Sequence, residues 1–481
     1  MRRTVFFLTP LLSLALLFAC GGSMSPTGVT NGVPMSLTIG DTPPNGVAVL
    51  FFEASITGAS LQPSDATKPA VSVLSAPVEV EFGHLQTDTA FLSLAKITPD
   101  TYSSLTLTFG NAEMTIVNHS GAAIGSCANN TVCQLMPSFS ASMVKLSGAP
   151  FPVTIDMNSV AGIKLDLDVN SSVQNDLSVN PSVKIAHFRQ RQDSDEDQEM
   201  EQLDELDGQI TAVGSNQFTL VDRRNGQSFT VNVDSNTVFE EFDRAGCTAS
   251  PEDFTCLKMD EIVEVELSEN GMGTMLAKRV EFIENADLEA IKGTITSVDS
   301  STQFHMVVFR EEPSVNGISE GSPVAVTIAP NATFQIGVEE MGENGGFSMF
   351  GFSFSSSADL MVGQDVQIRP SMVSSSGGAV TVTTDLVRLW PSQITGQVAS
   401  INSSNGTFTL TGLSALFTGA TPPVNTITVM TLSNMNFEDF PNQSQLAVGN
   451  TVSVKGLLFN TPTTPTLVTR TIEDRQGNQG N

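Results

Sequence analysis

Gly208-Gln-Ile-Thr-Ala-Val213 decides the fold, because it returns twice: as Gly293-Thr-Ile-Thr-Ser-Val298 and as Gly396-Gln-Val-Ala-Ser-Ile401. Self-similarity along a chain marks a repeat architecture. The strands that follow also recur in a fixed order. A second strand reads Phe218-Thr-Leu220, Phe304-His-Met306 and Phe408-Thr-Leu410. A third ends in Asn236-Thr-Val-Phe239, Asn331-Ala-Thr-Phe334 and Asn434-Met-Asn-Phe437. A fourth is Glu261-Ile-Val-Glu-Val265, Gly363-Gln-Asp-Val-Gln-Ile368 and Gly449-Asn-Thr-Val-Ser-Val454. The fifth is Ala277-Lys-Arg-Val-Glu281, Thr384-Asp-Leu-Val-Arg388 and Thr469-Arg-Thr-Ile-Glu473. Five short strands per unit suit a small closed or nearly closed β-barrel of OB-like plan.

Working outward, residues 208–284, 291–390 and 394–474 read as three tandem barrels, with 475–481 as a disordered tail. Upstream, Met35-Ser-Leu-Thr-Ile39, Val78-Glu-Val-Glu-Phe82, Leu105-Thr-Leu-Thr-Phe109 and Ile163-Lys-Leu-Asp-Leu-Asp-Val169 alternate apolar with polar residues. That period of two marks half-buried strands. Pro43-Pro44-Asn45-Gly46 and Pro99-Asp100 separate them as turns. Residues 33–189 are therefore expected to form an antiparallel β-sandwich, and the whole chain is expected to be all-β. Residues 190–207 form an acidic linker: nine of the fifteen residues from Asp193 to Asp207 are acidic, so the block repels itself. Its Asp193-Ser-Asp195-Glu-Asp197 start fails as a calcium loop, because Gln198 and Asp204 stand where Gly and Glu are needed.

Two resemblances accompany these patterns. Ser36-Leu-Thr-Ile-Gly-Asp-Thr-Pro, Ile97-Thr-Pro-Asp-Thr-Tyr102-Ser-Ser-Leu and Gly162-Ile-Lys-Leu-Asp-Leu-Asp-Val-Asn-Ser-Ser172 resemble a domain-of-unknown-function family of bacterial lipoproteins. That resemblance implies an envelope location and a β-sandwich, and carries no catalytic residues. The five-strand order over 208–474 resembles a second domain-of-unknown-function family, tandem in secreted bacterial proteins.

The amino-terminal residues carry an address. Arg2-Arg3 precedes an apolar run from Val5 to Ala19, shorter than the roughly 20 residues of a membrane span but the size of a signal-peptide core. Leu17-Phe18-Ala19-Cys20 resembles a bacterial lipobox, which implies that 1–19 is removed and that Cys20 is lipidated. Gly21 after it favours the outer membrane by the same resemblance, and 20–32 reads as a Gly/Ser/Thr/Pro-rich tether. Cys127 with Cys133, and Cys247 with Cys256, remain as two close pairs, which in an exported protein read as disulfides. A metal site is the alternative, but His119 is the nearest histidine and has no second to join it.

Chemistry is sparse. The formal net charge of −29 argues against nucleic acid and anionic membrane surfaces as partners, and a single Trp and a single Tyr leave little for base or sugar stacking. Tyr102 is expected to cap a corner or pack in the sandwich. The expected contacts are the membrane through the lipid anchor and an envelope protein or glycan, with no nucleic acid. Asp166, Asp168 and Asn170 alternate and would share a strand face, where three oxygen ligands could begin a Ca²⁺ site; a solvated face is the plainer reading, and no other cofactor is expected. The loop between the third and fourth strands varies most. In the first barrel Cys247 and Cys256 staple it; in the second it carries Phe347, Phe350, Phe352 and Phe354. These phenylalanines line the barrel or a repeat contact, or else form an exposed patch for a partner. Gly317-Ile-Ser319-Glu-Gly321 matches a serine-hydrolase elbow in letters only, since no helix pattern follows it. The expectation is a non-catalytic, lipid-anchored envelope protein that binds or scaffolds. A divalent-cation-dependent adhesin and an envelope polysaccharide or ester hydrolase are the alternatives.

Overall fold

The computed structural model describes residues 46–74, 76–85, 90, 92, 95, 97–156, 159–192, 201–202, 206–223, 226, 228–269, 275–283, 290–312, 317–337, 351–376, 379–438 and 446–475. The expected strand at Met35–Ile39, the lipobox and Cys20 lie outside them.

The first domain is built on two long strands, β1 (Val47–Pro63) and β4 (Asp100–Asn118), paired antiparallel from Val47 with Asn118 to Pro63 with Tyr102. Short strands line their edges: β2 (Val71–Ser72) and β3 (Val78–Glu81) on β1, and β5 (Thr131–Leu135), β6 (Met143–Leu146) and β7 (Val153–Ile155) on β4. Among the described residues the second layer is only the antiparallel ladder of β8 (Ser159–Leu167) and β9 (Val183–Gln192), whose Ile163, Leu165 and Phe188 pack on the same core. Strand β1 is covered on both faces. Phe52, Ala54 and Ile56 enter this core, while Leu50 and Phe51 enter a separate cluster beyond the sheet. A doubly covered strand shows no alternation, so period-two reading passes over it. Tyr102 is fully buried, and its hydroxyl donates to the Thr98 carbonyl at 2.6 Å. The Cys127–Cys133 disulfide closes the loop into β5.

The first barrel comprises β10 (Glu201–Gln202), β11 (Leu206–Val213), β12 (Gln217–Asp222), β13 (Ser228–Asn232), β14 (Val238–Glu240), β15 (Ile262–Glu269) and β16 (Met275–Phe282). Pairing runs β11-β12-β13-β16-β15 and returns to β11. The second barrel closes through β17 (Ala290–Ser300), β18 (Gln303–Glu312), β19 (Pro323–Ile336), β20 (Asp365–Ser376) and β21 (Ala379–Trp390), in the order β17-β18-β19-β21-β20. The third closes likewise through β22 (Ser392–Asn402), β23 (Thr407–Thr411), β24 (Ile427–Glu438), β25 (Thr451–Phe459) and β26 (Thr466–Asp474). In every unit the third and fifth strands run parallel and the rest pair antiparallel, the OB-like plan. The all-β class with tandem five-stranded barrels is thus realised.

The repeated glycine has a steric cause. A Cβ on Gly293 would stand 2.5 Å from the Val307 carbonyl oxygen, and one on Gly396 would stand 2.9 Å from that of Thr411. The first strand bends over the second at this point, and only hydrogen fits. Inside, the period of two fills the barrel: Phe304, Met306, Val324, Val326, Val366 and Ile368 are all fully buried in the second unit.

The units are not a string held by linkers. Leu50, Phe51 and Val117 of the first domain pack with Val307 of β18 and with Ala415 and Leu416 of a short helix, α1 (Ala415–Thr418), in the third barrel. Leu457 and Phe459 of β25 join the second barrel's core, and Gln364 donates to the Leu458 carbonyl at 2.9 Å. Part of the expected linker belongs to the first barrel, since Glu201 and Gln202 pair with Glu269 and Ser268.

Candidate functional site: a carboxylate row at the domain seam

Strands β3, β1 and β4 lie side by side, and their register sets Glu81 opposite Glu53 and Glu53 opposite Glu113. Facing pairs on adjacent strands share a side, so three carboxylates form a row. The row lies on the face that carries Phe51 and Thr115, away from the first domain's core. Against it sits the turn between β18 and β19. Thr115 Oγ1 donates to the Gly321 carbonyl at 2.6 Å, a buried bond between the domains. Gly321 has φ of +78°, and a Cβ there would stand 2.9 Å from the Phe51 ring. Glycine is therefore required for both conformation and space. Glu320 precedes it and brings a further carboxylate to the row.

Each acid is held differently. Burial pushes Glu53 up to about 7, and Glu320, Glu79, Glu81 and Glu113 add to the push. Burial also works against a charge on Glu81. It is outweighed by the His84 ring, whose Nδ1 lies at 2.9 Å, and by N–H donors from Phe52, Gly83 and His84 at 2.9–3.1 Å, which hold Glu81 below the usual carboxylate range. The Gln134 amide donates to Glu113. The turn after β3 then reaches the barrels: the His84 ring lies 4.0 Å from that of Phe309, and Gln393 of β22 donates to the His84 carbonyl at 2.6 Å. Behind it Asp365 is pushed up to about 6 by burial, which outweighs the lowering from His84 and from the Thr294 hydroxyl at 2.6 Å, with Glu81 adding to the rise.

The proposed calcium ligands do not come together. Strand β8 stops at Leu167, and Asp168 instead caps the single turn Val169–Ser172, accepting from Ser171 N at 2.9 Å and from its hydroxyl at 2.6 Å. Asn170 falls inside that turn, so the three residues no longer alternate on one face. Asp166 pairs with Lys184 at 2.9 Å. Among the described residues no group of three or more His, Cys, Asp or Glu is placed to hold a metal ion. Of the two readings of the phenylalanines, Phe352 and Phe354 take the one that lines the barrel or a repeat contact, not the exposed patch. Phe354 is buried in the second barrel's core, edge-on to Phe334 at 5.7 Å, and Phe352 stacks on Phe459 of the third barrel at 4.8 Å. Both are used within the chain; Phe347 and Phe350 lie outside the described residues. Ser319 of the elbow-like motif lies 3.0 Å from the Ser322 hydroxyl, in the docking turn. Both cysteine pairs form disulfides.

Sequence reasoning missed the row. Glu81 stands in the alternating run Val78–Phe82, but its neighbours Glu53 and Glu113 are set by register, which no local pattern reports.

Residues 207–281 and 395–461, the first and third barrels, match a domain of unknown function, DUF5666. No match was found among the curated proteins. Among solved structures, the chain is similar to Drosophila Unr CSD456, at 11% identity and a TM-score of 0.13 over 55% of this chain and 95% of that one. It is also similar to a multidomain protein with nucleic acid binding domains from Streptococcus pneumoniae, at 7% identity and a TM-score of 0.10 over 56% and 72%. The exclusion of nucleic acid drawn above from net charge is corrected here: a protein described by such domains stands among the similar structures, and a formal charge summed over a whole chain says nothing of one barrel face. Likenesses this distant assign no partner to the chain.

Proposed function

We propose that this chain is a lipid-anchored protein of a bacterial cell envelope, acting by binding or scaffolding rather than by catalysis. The observation that carries the reading is the division of its five cysteines. Four close two disulfides, as in compartments that oxidise thiols. The fifth, Cys20, ends an apolar run in a lipobox-like stretch. Gly21 favours the outer membrane, and the resemblance of the first domain implies an envelope location. Two or three acyl chains, at about 0.8 kcal/mol per buried methylene, would hold the protein to a bilayer. Among the described residues no helix is long and apolar enough to cross a membrane. Support for binding or scaffolding is the architecture itself: rigid barrels joined through buried seams present loops on a fixed frame.

The test is mass spectrometry of the mature chain from cells, with fractionation. The expected result is an acylated Cys20 in the membrane fraction and release into the soluble fraction on Cys20→Ser. An unmodified amino terminus, or free thiols at the other four cysteines, would overturn the reading. The cation-dependent adhesin is not carried forward, because Asp166 and Asp168 are engaged in an ion pair and a turn cap.

A further inference from the structure

We infer that the seam between the first domain and the second barrel is a pH-gated contact, closed when the glutamate row carries a proton and loosened when the row is fully ionised. The geometry is the row itself, Glu81–Glu53–Glu113, with a fourth carboxylate delivered by the docking turn. Like charges set directly opposite repel, and a domain contact brings Glu320 against three at once. The groups acting on Glu53 from the elements around it are Glu79 and Glu81 of β3, Glu113 of β4 and Glu320 of the β18–β19 turn. His84 acts on Glu81 and on Asp365. Elsewhere the contact holds the hydrogen bond from Thr115, the apolar cluster of Leu50, Phe51, Val117, Val307 and Leu416, and His84 set against Phe309 and Asp365. Repulsion within the row works against the apolar cluster.

The sign follows from the direction of the shifts. Glu53 sits above its ordinary 4.5, at about 7; the part of that rise owed to Glu320 and to burial under the docking turn favours the closed seam below 4.5 and is lost as pH rises through 7. Glu81, held low, acts oppositely and only in acid. Between mildly acidic and alkaline pH the seam therefore loosens. This inference does not rest on the lipid anchor.

The experiment reads the thiol-labelling rate of a reporter, Val307→Cys, in the full chain. Val307 is 1% exposed, at the centre of the seam. Its rate is divided by that of Met372→Cys, 61% exposed, which cancels thiol ionisation. Glu53 is half-buried and partly screened, so the ratio is expected to rise on the order of tenfold from about pH 5 to about pH 8.5. Glu53→Gln should cut the rise to less than about threefold, and Glu320→Gln, on the barrel side, should cut it too. Thr115→Val should raise the ratio equally at both pH values, since it weakens the contact without touching the charges. If Val307→Cys does not fold, Leu416→Cys reports the same cluster. A ratio flat with pH, or a rise unchanged in both glutamine variants, would overturn the inference.

Discussion

Two rows of three glutamates border the second barrel, and they differ in what stands between them. In the first domain the row is Glu81–Glu53–Glu113. In the first barrel the register of β14, β16 and β15 sets Glu240 opposite Glu281 and Glu281 opposite Glu264. There the charges are bridged. Arg279 Nη1 lies 2.8 Å from Glu281 and 3.5 Å from Glu240, and its other nitrogens lie 3.9 Å from Glu264 and Glu266. Lys292 of the second barrel reaches Glu264 at 3.7 Å and lies over the Trp390 ring at 3.8 Å. Around Glu53 the strongest charges are other carboxylates. The same pattern of residues thus makes a permanent joint where an arginine bridges the whole row, and a proton-dependent one where the central glutamate is set among carboxylates. Buried ion pairs add little when intact but cost a great deal when half is removed. A buried carboxylate set among other carboxylates instead relaxes by binding a proton.

The comparison can be broken in four ways, taken from the largest expected effect to the smallest. Arg279→Met leaves its glutamates buried without their main counter-charge and should cost about 3–5 kcal/mol in urea unfolding. If it costs no more than a surface change, the first-barrel joint is not ionic. Replacing Cys247 and Cys256 by serine should lower the first barrel's stability by about 2–3 kcal/mol, read by hydrogen exchange in β14–β16. Gly293→Ala should cost about 2 kcal/mol by forcing β17 away from Val307, at any pH, which separates packing from charge. Glu53→Gln should stabilise the chain by only about 1 kcal/mol near pH 8.5, a value reduced for solvent screening, and leave it unchanged near pH 4. A gain of the same size at both pH values would mean that Glu53 acts by packing rather than by charge.

Much of the fold was legible. Each barrel strand buries one face, so period-two runs name them, and the glycine that opens each repeat marks a close approach that every copy must solve. The disulfides were legible from spacing. One reading failed because it treated neighbours in sequence as neighbours in space, and two places stayed unread for the same reason. The alternation through Asp166, Asp168 and Asn170 ignored the end of β8, where a capped turn begins. The Phe352 and Phe354 run left a barrel or repeat contact and an exposed patch both open, because its covers, Phe459 and Phe334, lie in other strands. Val47–Phe52 carries no alternation because a second domain covers its far side.

By itself, then, the sequence determined what is local: strands, turns, the triple repeat with its glycines, and the pairing of close cysteines. Those follow from sterics and from the burial of one face, which act over a few residues. The tertiary structure alone decided which glutamates stand in a row and which of them meet a cation. Those contacts join residues such as Thr115 and Gly321, which lie 206 positions apart, and register and docking, not composition, bring them together.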